Sequence, residues 1–204
     1  MLIVISNPTA VKDEAQIINA LFHEGLEIFH LRKPTANIND IKTMLEKIDS
    51  KYHLQIALHQ QHQIVNDYGI KRLHFTEAKR IETDEATFAV LKENKNILST
   101  SFHQLEVYSK LSPAFEYAFF GPVFNSISKQ GYTSIWPDGF VFPVKPNLPK
   151  VIALAGVNAT NMEQVKQMKF SGAAVLGAIW QQPNECIKQF ITLQKAWKHT
   201  DPLY

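Results

Sequence analysis

Residues 151–177 read VIALAGVNATNMEQVKQMKFSGAAVLG, and this stretch decides the fold. It begins with a short apolar run, continues through a polar segment in which Val165 and Met168 recur at helical spacing, and ends on a second apolar run. Parallel strands need a long crossover connection, which is usually a helix. The order strand, helix, strand therefore predicts a parallel β-α-β unit.

The same alternation runs through the whole chain. The apolar runs of strand length are Leu2–Asn7, Ile28–Arg32, Ile56–His59, Arg72–Phe75, Ile97–Phe102, Tyr117–Val123, Val151–Gly156 and Ala173–Gly177. Eight such runs, with no change of composition that would mark a linker, predict an α/β fold: a single (β/α)8 TIM barrel over residues 1–204. An open doubly wound sheet is the alternative that the strand count leaves.

Two intervals depart from the regular pattern. Gln60–Gly69 has room for only a short helix, and Phe124–Lys150 contains four prolines and two glycines. We therefore predict an irregular loop that replaces or shortens the sixth helix. In a parallel barrel this loop leaves the carboxyl end of the sixth strand, on the face where active sites lie, and it is a candidate lid.

Composition limits the class of protein. Of 204 residues, 45% are hydrophobic and 20% charged, as in a globular domain that buries its own core. A formal net charge of +2 gives no indication of a nucleic-acid partner. The single cysteine, Cys186, excludes an intrachain disulfide and a thiolate metal cluster. Since the first residues read as a strand rather than a signal peptide, and no apolar run approaches the ~20 residues of a membrane span, we expect a cytoplasmic protein with no membrane partner.

Groups suited to an anion follow two of the predicted strands. Arg32, at the end of the second strand, offers the planar paired donors that bind phosphate, although a pairing with a neighbouring carboxylate is the alternative. Ser126, Ser128 and Lys129 follow the sixth strand and offer two hydroxyls and a mobile cation, although such a run is also typical of a solvated turn.

Small residues end the seventh and eighth strands. Gly156, Gly177 and Ala178 let backbone N–H groups approach a ligand, and a helix that begins near Ala178 would direct its N-terminal dipole at a phosphate. The alternative is that the glycines only relieve crowding. Because phosphate sites after strands seven and eight recur in this architecture, the combined pattern predicts a phosphate site.

Histidines mark several strand ends. The candidates for ligand binding or acid–base catalysis are His30, His59, His74 and His103, since imidazole titrates near neutral pH. A structural histidine bonded within the core is the alternative for each. His59 and His62 are three residues apart, but the sequence offers no identifiable third ligand, so no histidine metal site is predicted.

Six segments resemble, in order, the thiamine phosphate synthase/TenI family. They are Phe29–Arg32, Leu73–Phe75, Ser101–His103, Gly121–Lys129, Ala155–Val157 and Val175–Ile179. The resemblance covers nearly the whole chain. It implies a barrel of thiamin biosynthesis that binds a thiazole phosphate and, in a synthase, an aminopyrimidine diphosphate. The expected partners are these phosphorylated small molecules, with a homodimer as a further expectation.

The resemblance also assigns roles. The residues it places at the diphosphate are Arg32, Lys129, Ser126 and Ser128. It implies that the backbone at Gly156, Gly177 and Ala178 holds the thiazole phosphate. With the histidines added, the predicted catalytic residues are Arg32, Lys129, His74 and His103, and the further ligand-binding residues include His30, His59 and Ser101.

The chain departs from the family at the Mg²⁺ site. Synthases carry an Asn-Asp pair at the positions that here read His59-Gln60, and an acidic residue at the position that here reads Lys79. Because Mg²⁺ prefers hard oxygen ligands, we expect it to bind weakly unless Glu77 or the substrate supplies the charge. Lys79 is an alternative partner for pyrophosphate. The family's lysine two positions beyond the arginine is also replaced, by Pro34, and Lys33 stands one position earlier.

Three functions therefore remain open. A divergent synthase and a TenI-like thiazole phosphate isomerase are the enzymatic alternatives, and a catalytically inactive binding or regulatory protein is the third. Pro122 stands where the TenI branch has its histidine, so an isomerase would need another proton-transfer group.

Overall fold

The computed structural model describes residues 1–125 and 135–198. Its strands are β1 (Leu2–Ile5), β2 (Ile28–Leu31), β3 (Ile56–Leu58), β4 (Arg72–Phe75), β5 (Ile97–Phe102), β6 (Phe115–Phe120), β7 (Lys150–Leu154) and β8 (Gly172–Val175). Each pairs in parallel with the next, and β8 pairs with β1, so the sheet closes. The predicted (β/α)8 barrel is confirmed.

Helices connect the strands around the outside of the barrel. They are α1 (Glu14–His23), α2 (Ile38–Lys47), α3 (Glu77–Glu82), α4 (Glu85–Glu93), α5 (Leu105–Tyr108), α6 (Met162–Gln167), α7 (Gly177–Trp180) and α8 (Cys186–Lys198). Short 3₁₀ helices cover Ser50–Gln55, His62–Tyr68 and Pro183–Glu185. Residues 121–125 and 135–149, the described part of the β6–β7 connection, contain no helix, as predicted for this interval. Within the described chain, no helix is long and apolar enough to cross a membrane.

Side-chain caps start several helices. Asn37 accepts hydrogen bonds from the first-turn N–H groups of α2, and Asp40 reaches back to the Asn37 N–H, which completes a capping box. The side chains of Thr76 and Asp84 each accept a hydrogen bond from one first-turn N–H group, of α3 and α4 respectively. These contacts satisfy N–H groups that a helix leaves free, so the local sequence fixes where the helices begin.

The strand bounds differ most from prediction at β6. The apolar run predicted a strand from Tyr117 to Val123, whereas β6 begins at Phe115 and ends at Phe120. Val123 is fully buried although it lies beyond the strand, and its N–H bonds to the Leu154 carbonyl. An apolar run in the sequence indicates buried residues, not strand hydrogen bonds. At β6 the chain stays buried to Val123 although the strand ends at Phe120.

Two apolar layers build the core. The larger one lies between the sheet and the helices and takes in residues from every strand–helix unit. The smaller one fills part of the barrel interior and consists of Ile3, Ile5, Ile28, Tyr117, Phe119, Ile152 and Ala174. The rest of the interior is polar: His30, His74 and Ser99 are each at most 1% exposed. This polar part of the interior leads to the candidate site.

Candidate functional site

Three histidines meet toward the carboxyl end of the barrel, and we call them the histidine cluster: His30, His59 and His74. His30 lies in β2, His74 lies in β4, and His59 directly follows β3. His30 Nδ1 is 2.9 Å from His59 Nε2, and the rings of His59 and His74 stack with centroids 4.0 Å apart. Parallel pairing of neighbouring strands thus brings together side chains far apart in sequence.

His62 is not part of this cluster. Its Nε2 bonds to the Leu58 carbonyl at 2.9 Å, and its ring packs on Phe75. The three-residue spacing of His59 and His62 therefore does not bring both rings into the cluster. The informative signal was strand alternation, which turns His30 and His74 inward on β2 and β4.

Hydroxyl groups bond the buried histidines from β5 and β6. His74 Nδ1 is 3.0 Å from Ser99 Oγ, and His74 Nε2 is 3.0 Å from Ser101 Oγ. On the other side, His30 Nε2 is 2.8 Å from the Tyr117 hydroxyl. All four ring nitrogens of His30 and His74 therefore have partners, whereas His59 Nδ1 is buried without one.

The cluster is uncharged at neutral pH. Burial lowers the pKa of His30 and His59 well below the ordinary value for histidine, and it lowers the pKa of His74 to about 3. Burial also raises the pKa of the Tyr117 hydroxyl to about 12. Since a charged form would lose its hydration here, each group stays neutral and can both give and accept a hydrogen.

The cluster has the spacing of a metal site but not its electrostatics. One nitrogen from each histidine lies within 4.8 Å of the others. Among the described residues, however, the permanent charges that act on these rings are Arg32 and Arg72, and both lower the pKa values of the histidines. Two positive charges beside buried imidazoles oppose a cation, and zinc sites normally place carboxylates or carbonyls behind their histidines instead.

Arg32 lies half-buried at the rim, beside the cluster. Its positive charge lowers the pKa values of His59 and His74. Ser6 fixes its backbone: the Ser6 hydroxyl accepts from the Arg32 N–H at 2.8 Å and donates to the Arg32 carbonyl at 2.9 Å. Within residues 1–125 and 135–198 its guanidinium forms no ion pair, so no described carboxylate neutralises it.

Lys33 points away from the histidine cluster and towards the β1–α1 connection. Its amino group is 2.6 Å from a Glu14 carboxylate oxygen and bonds to the carbonyls of Asn7 and Thr9. Both side chains of the ion pair are at most 8% exposed. Lys33 is therefore committed to the β1–α1 connection and does not replace the missing lysine of the family.

His103 and Ser101 reach the rim from β5 and its following turn. Ser101 bonds to His74 and is half-buried, so it joins the cluster. His103 is exposed; its Nδ1 bonds to the Gly121 carbonyl, and its Nε2 lies 3.8 Å from Glu77. The structure thus separates His103 from the histidines that meet inside the barrel.

The candidate phosphate loops lie only partly within the described chain. Ser126, Ser128 and Lys129 lie outside the described residues. At Gly156, with φ of +69°, an added Cβ would lie 2.5 Å from the Asn125 carbonyl oxygen and 2.6 Å from the Phe124 Cβ. Close packing against the chain after β6 therefore requires a glycine here. This agrees with the alternative that Gly156 relieves crowding at the end of β7.

Gly177 and Ala178 begin α7, next to a cavity on the same face. The predicted helix start near Ala178 agrees with the bounds of α7. The cavity has a volume of about 280 Å³, and its lining includes Asn158, Thr160, Ala178, Gln181 and Gln189. Its walls combine amide and hydroxyl side chains with the apolar side chains of Ala159 and Leu193, and the lining residues come from the segments that follow β7 and β8.

The residues that align with the family's Mg²⁺ ligands do not suit Mg²⁺. His59 bonds to His30, and Gln60 donates to the Lys33 carbonyl. The Lys79 side chain is 62% exposed, and its amino group lies 3.8 Å from the Glu82 carboxylate.

Glu77 does not replace the missing carboxylates. Its carboxylate is 3.4 Å from the Arg80 guanidinium and 3.8 Å from His103 Nε2. Because a hard cation needs several oxygen ligands, this set does not form a Mg²⁺ site.

The fold and the site together define a class of protein. This is a parallel (β/α)8 barrel whose carboxyl rim combines an arginine, hydroxyls and uncharged histidines, the face on which barrel enzymes bind their substrates. Residues 2–179 match the family model described as thiamine monophosphate synthase. The chain belongs to this thiamine monophosphate synthase/TenI family, as its sequence motifs predicted.

Individual relatives agree. The chain is 24% identical to the thiamine-phosphate synthase of Latilactobacillus sakei subsp. sakei (strain 23K), over 98% of this chain and 92% of that protein. It is 23% identical to that of Lysinibacillus sphaericus (strain C3-41), over 88% and 86% of the two chains. Its structure resembles thiamine phosphate pyrophosphorylase from Bacteroides thetaiotaomicron, with a TM-score of 0.73, 26% identity and 96% of both chains covered.

Proposed function

We propose that this chain acts in thiamin biosynthesis, in the cytoplasm, by binding a thiazole phosphate at the carboxyl face of its barrel. The observation that carries the proposal is the Arg32 guanidinium, which has no counter-ion among the described residues and lies beside the neutral histidine cluster. A phosphoryl ester would supply the missing negative charge in a bidentate geometry that suits arginine.

The remaining groups fit the two ends of such a ligand. The backbone at Gly177 and Ala178 starts α7 beside a cavity whose lining includes the amide groups of Gln181 and Gln189, and these N–H donors suit the phosphate. The histidine cluster and Ser101 are neutral and suit an uncharged heteroaromatic ring. Charge at one end and neutral hydrogen-bonding groups at the other match a phosphorylated heterocycle.

Neutral proton-transfer groups, together with the replacement of the family's Mg²⁺-binding residues by His59, Gln60 and Lys79, favour isomerisation of the thiazole phosphate. Synthesis of thiamine phosphate is the second candidate, and the names of the curated relatives favour it. It would require an aminopyrimidine diphosphate whose leaving pyrophosphate is stabilised by cations. Arg32, with Lys129 beyond the described residues, is the available source of that charge.

Calorimetry with thiazole phosphate tests the binding. We expect Arg32→Ala to weaken the affinity about 10- to 100-fold, since a hydrogen-bonded charge pair contributes about 1.5–3 kcal/mol. Lys79→Ala is the matched control, because it removes a positive charge from the same face but from a side chain turned outward. Equal losses in both variants, or no binding by the unmodified protein, would contradict the proposal.

A second arm separates the candidate reactions. The protein is incubated with thiazole phosphate and aminopyrimidine diphosphate, with and without Mg²⁺, and thiamine phosphate is quantified. Rapid, Mg²⁺-stimulated product formation identifies a synthase and contradicts isomerisation as the main activity. Binding without any turnover identifies an inactive binding protein.

A further inference from the structure

We propose that His103 moves the proton in the isomerisation: its Nε2 takes a proton from a carbon of the bound thiazole phosphate and returns it to a second atom of the ligand. Glu77 stabilises the positive charge of the ring between the two steps. The inference rests on the proposed function, because the ligand is the thiazole phosphate. It deepens that function by naming the residue that carries the proton.

His103 lies at the carboxyl rim, directly after β5. Ser99 and Ser101 of this strand bond to His74 in the barrel interior, whereas Phe102 packs in the layer between the sheet and the helices. Alternation therefore turns His103 to the same side as the two serines, about 7 Å further along the chain than Ser101. Its side chain is 54% exposed, so a ligand at the rim can reach it.

The Gly121 carbonyl fixes the tautomer of His103. A carbonyl oxygen can only accept, so His103 Nδ1 carries the hydrogen and donates it to this oxygen. Gly121 is itself packed closely on β7, because an added Cβ would lie 2.5 Å from the Leu154 carbonyl oxygen. In the neutral ring Nε2 therefore holds the lone pair, which is the form that a general base needs.

The Nε2 atom of His103 is available to a ligand. Among residues 1–125 and 135–198 it has no hydrogen-bond partner, and a carboxylate oxygen of Glu77 lies 3.8 Å away. This distance is too long for a hydrogen bond. Nitrogen lone pair and carboxylate oxygen are both acceptors, so they do not pair until the ring has gained a proton.

Glu77 is placed to stabilise the protonated ring. It is the first residue of α3, and its Oε1 lies 3.4 Å from the guanidinium of Arg80, one turn later in the same helix. Arg80 thus binds one carboxylate oxygen, and the other oxygen faces His103. A proton on Nε2 would turn the contact between His103 and Glu77 into an attraction between opposite charges.

The histidine cluster does not suit this step. Burial lowers the pKa of His30 and His59 well below the ordinary value and that of His74 to about 3, so a protonated ring is strongly disfavoured there. Both ring nitrogens of His30 and of His74 are also engaged in hydrogen bonds. The cluster can hold a neutral ring, and the exposed histidine above it is the one that can hold a proton as a cation.

The transfer balances with the ligand and His103 alone. A ligand C–H bond breaks, its electron pair enters the ring system of the ligand, and the proton bonds to Nε2. The resulting N–H bond then breaks, and the proton bonds to a second atom of the ligand. The ligand is isomerised, and His103 returns to its neutral form with the hydrogen on Nδ1.

Deuterium exchange in D₂O tests the role of His103. The protein is incubated with thiazole phosphate, and the loss of carbon-bound hydrogen from the ligand is followed by NMR. We expect His103→Ala to slow exchange about 100- to 1000-fold, as for loss of a general base, while the affinity measured by calorimetry changes less than about 3-fold. His23→Ala is the matched control, since it removes an exposed histidine at the end of α1 and should change neither quantity.

Added imidazole provides a measurement that a purely structural role would not affect. A free imidazole can occupy the space left by the deleted ring and supply the missing nitrogen. Exchange by His103→Ala should therefore rise with imidazole concentration, whereas exchange by the unmodified protein should not.

Glu77→Gln tests the positioning role of the carboxylate. We expect kcat for exchange to fall about 5-fold with KM unchanged, the factor that a charge pair about 4 Å apart in water provides. Glu82→Gln is the control, because Glu82 belongs to the same helix but its carboxylate lies beside Lys79.

Three results would overturn the role of His103. They are an undiminished rate in His103→Ala, a loss of rate that imidazole does not restore, and a loss of affinity as large as the loss of rate. Protein that binds thiazole phosphate but exchanges no hydrogen would also contradict the inference and leave the binding proposal standing. Absence of binding by calorimetry would instead refute the proposed function itself.

Discussion

The two sides of the barrel interior differ in chemistry. The side formed by β1, β7 and β8 contributes Ile3, Ile152 and Ala174, which pack against one another without a polar atom. The side formed by β2, β4 and β5 contributes His30, His74 and Ser99, equally buried but hydrogen-bonded. One closed sheet thus combines an apolar half with a half that buries hydrogen-bonded polar side chains.

The contrast has an energetic consequence. Burial of an apolar side chain is favourable in itself, whereas a buried polar group at best recovers the hydrogen bonds that it made in water. The apolar side should therefore be sensitive to lost volume. On the polar side, stability should instead depend on pH and on the loss of single hydrogen-bond partners.

The largest effect is expected on the apolar side. Ile152 is fully buried, and Ile152→Ala should lower the free energy of unfolding by about 3–4 kcal/mol, through lost transfer energy and a cavity. Urea denaturation measures the change. Ile81→Ala, at a position 71% exposed, is the control and should change stability by less than about 0.5 kcal/mol. Comparable losses would show that the apolar half does not carry the fold.

Acid should destabilise the polar side next. Burial lowers the histidine pKa values in the folded protein, so below about pH 6.5 the unfolded chain binds protons that the folded chain does not. Stability therefore falls as pH falls, by about 1.4 kcal/mol per pH unit for each histidine of the cluster, and for His74 this continues towards its folded pKa of about 3.

Urea unfolding at several pH values between 5 and 6.5 measures this slope. His74→Gln should reduce it by the share of one histidine, about 2 kcal/mol over that range. His23→Gln, on the exposed end of α1, should leave it unchanged. If the His74 variant kept the full slope, His74 would not be buried in its neutral form.

Loss of a single hydroxyl should have the smallest effect. Tyr117→Phe keeps the ring in the barrel interior but leaves His30 Nε2 without its partner, so stability should fall by about 1–2 kcal/mol. Thermal unfolding monitored by circular dichroism would record the shift. No loss at all would mean that the Tyr117 hydroxyl does not satisfy His30, contrary to the 2.8 Å contact.

Local patterns were sufficient to predict the fold. β4 and β5 have the bounds that their apolar runs predicted, since both runs stop where polar caps or turns begin. β6 was misplaced because Val123 is buried beyond the ladder. Alternation also placed His30 on the same side as Arg32, since residues two apart share a face of a strand.

The arrangement of the site could not be predicted in the same way. Which inward residues meet depends on the stagger of neighbouring strands, and the pairing of His30 with Ala57 or of His74 with Ser99 is a property of the closed sheet. From the sequence, His59 could be considered as a metal ligand only together with His62, which is near it along the chain. The absence of a described counter-ion for Arg32 is likewise a tertiary property, as is the ion pair of Lys33.

The ion pair of Lys33 shows that two cations at adjacent positions of the chain can have different structural roles. Glu14 and Lys33 join the first loop to the end of β2, and Lys33 directly follows Arg32. Consecutive residues of an extended chain face opposite ways. The two adjacent cations therefore differ: the Arg32 guanidinium lies at the rim with no counter-ion in the described part of the chain, and Lys33 holds the first loop to the scaffold. The loop that carries Asn7 and Thr9 is consequently anchored to the end of β2, and we expect the carboxyl rim to be rigid on that side even without a ligand.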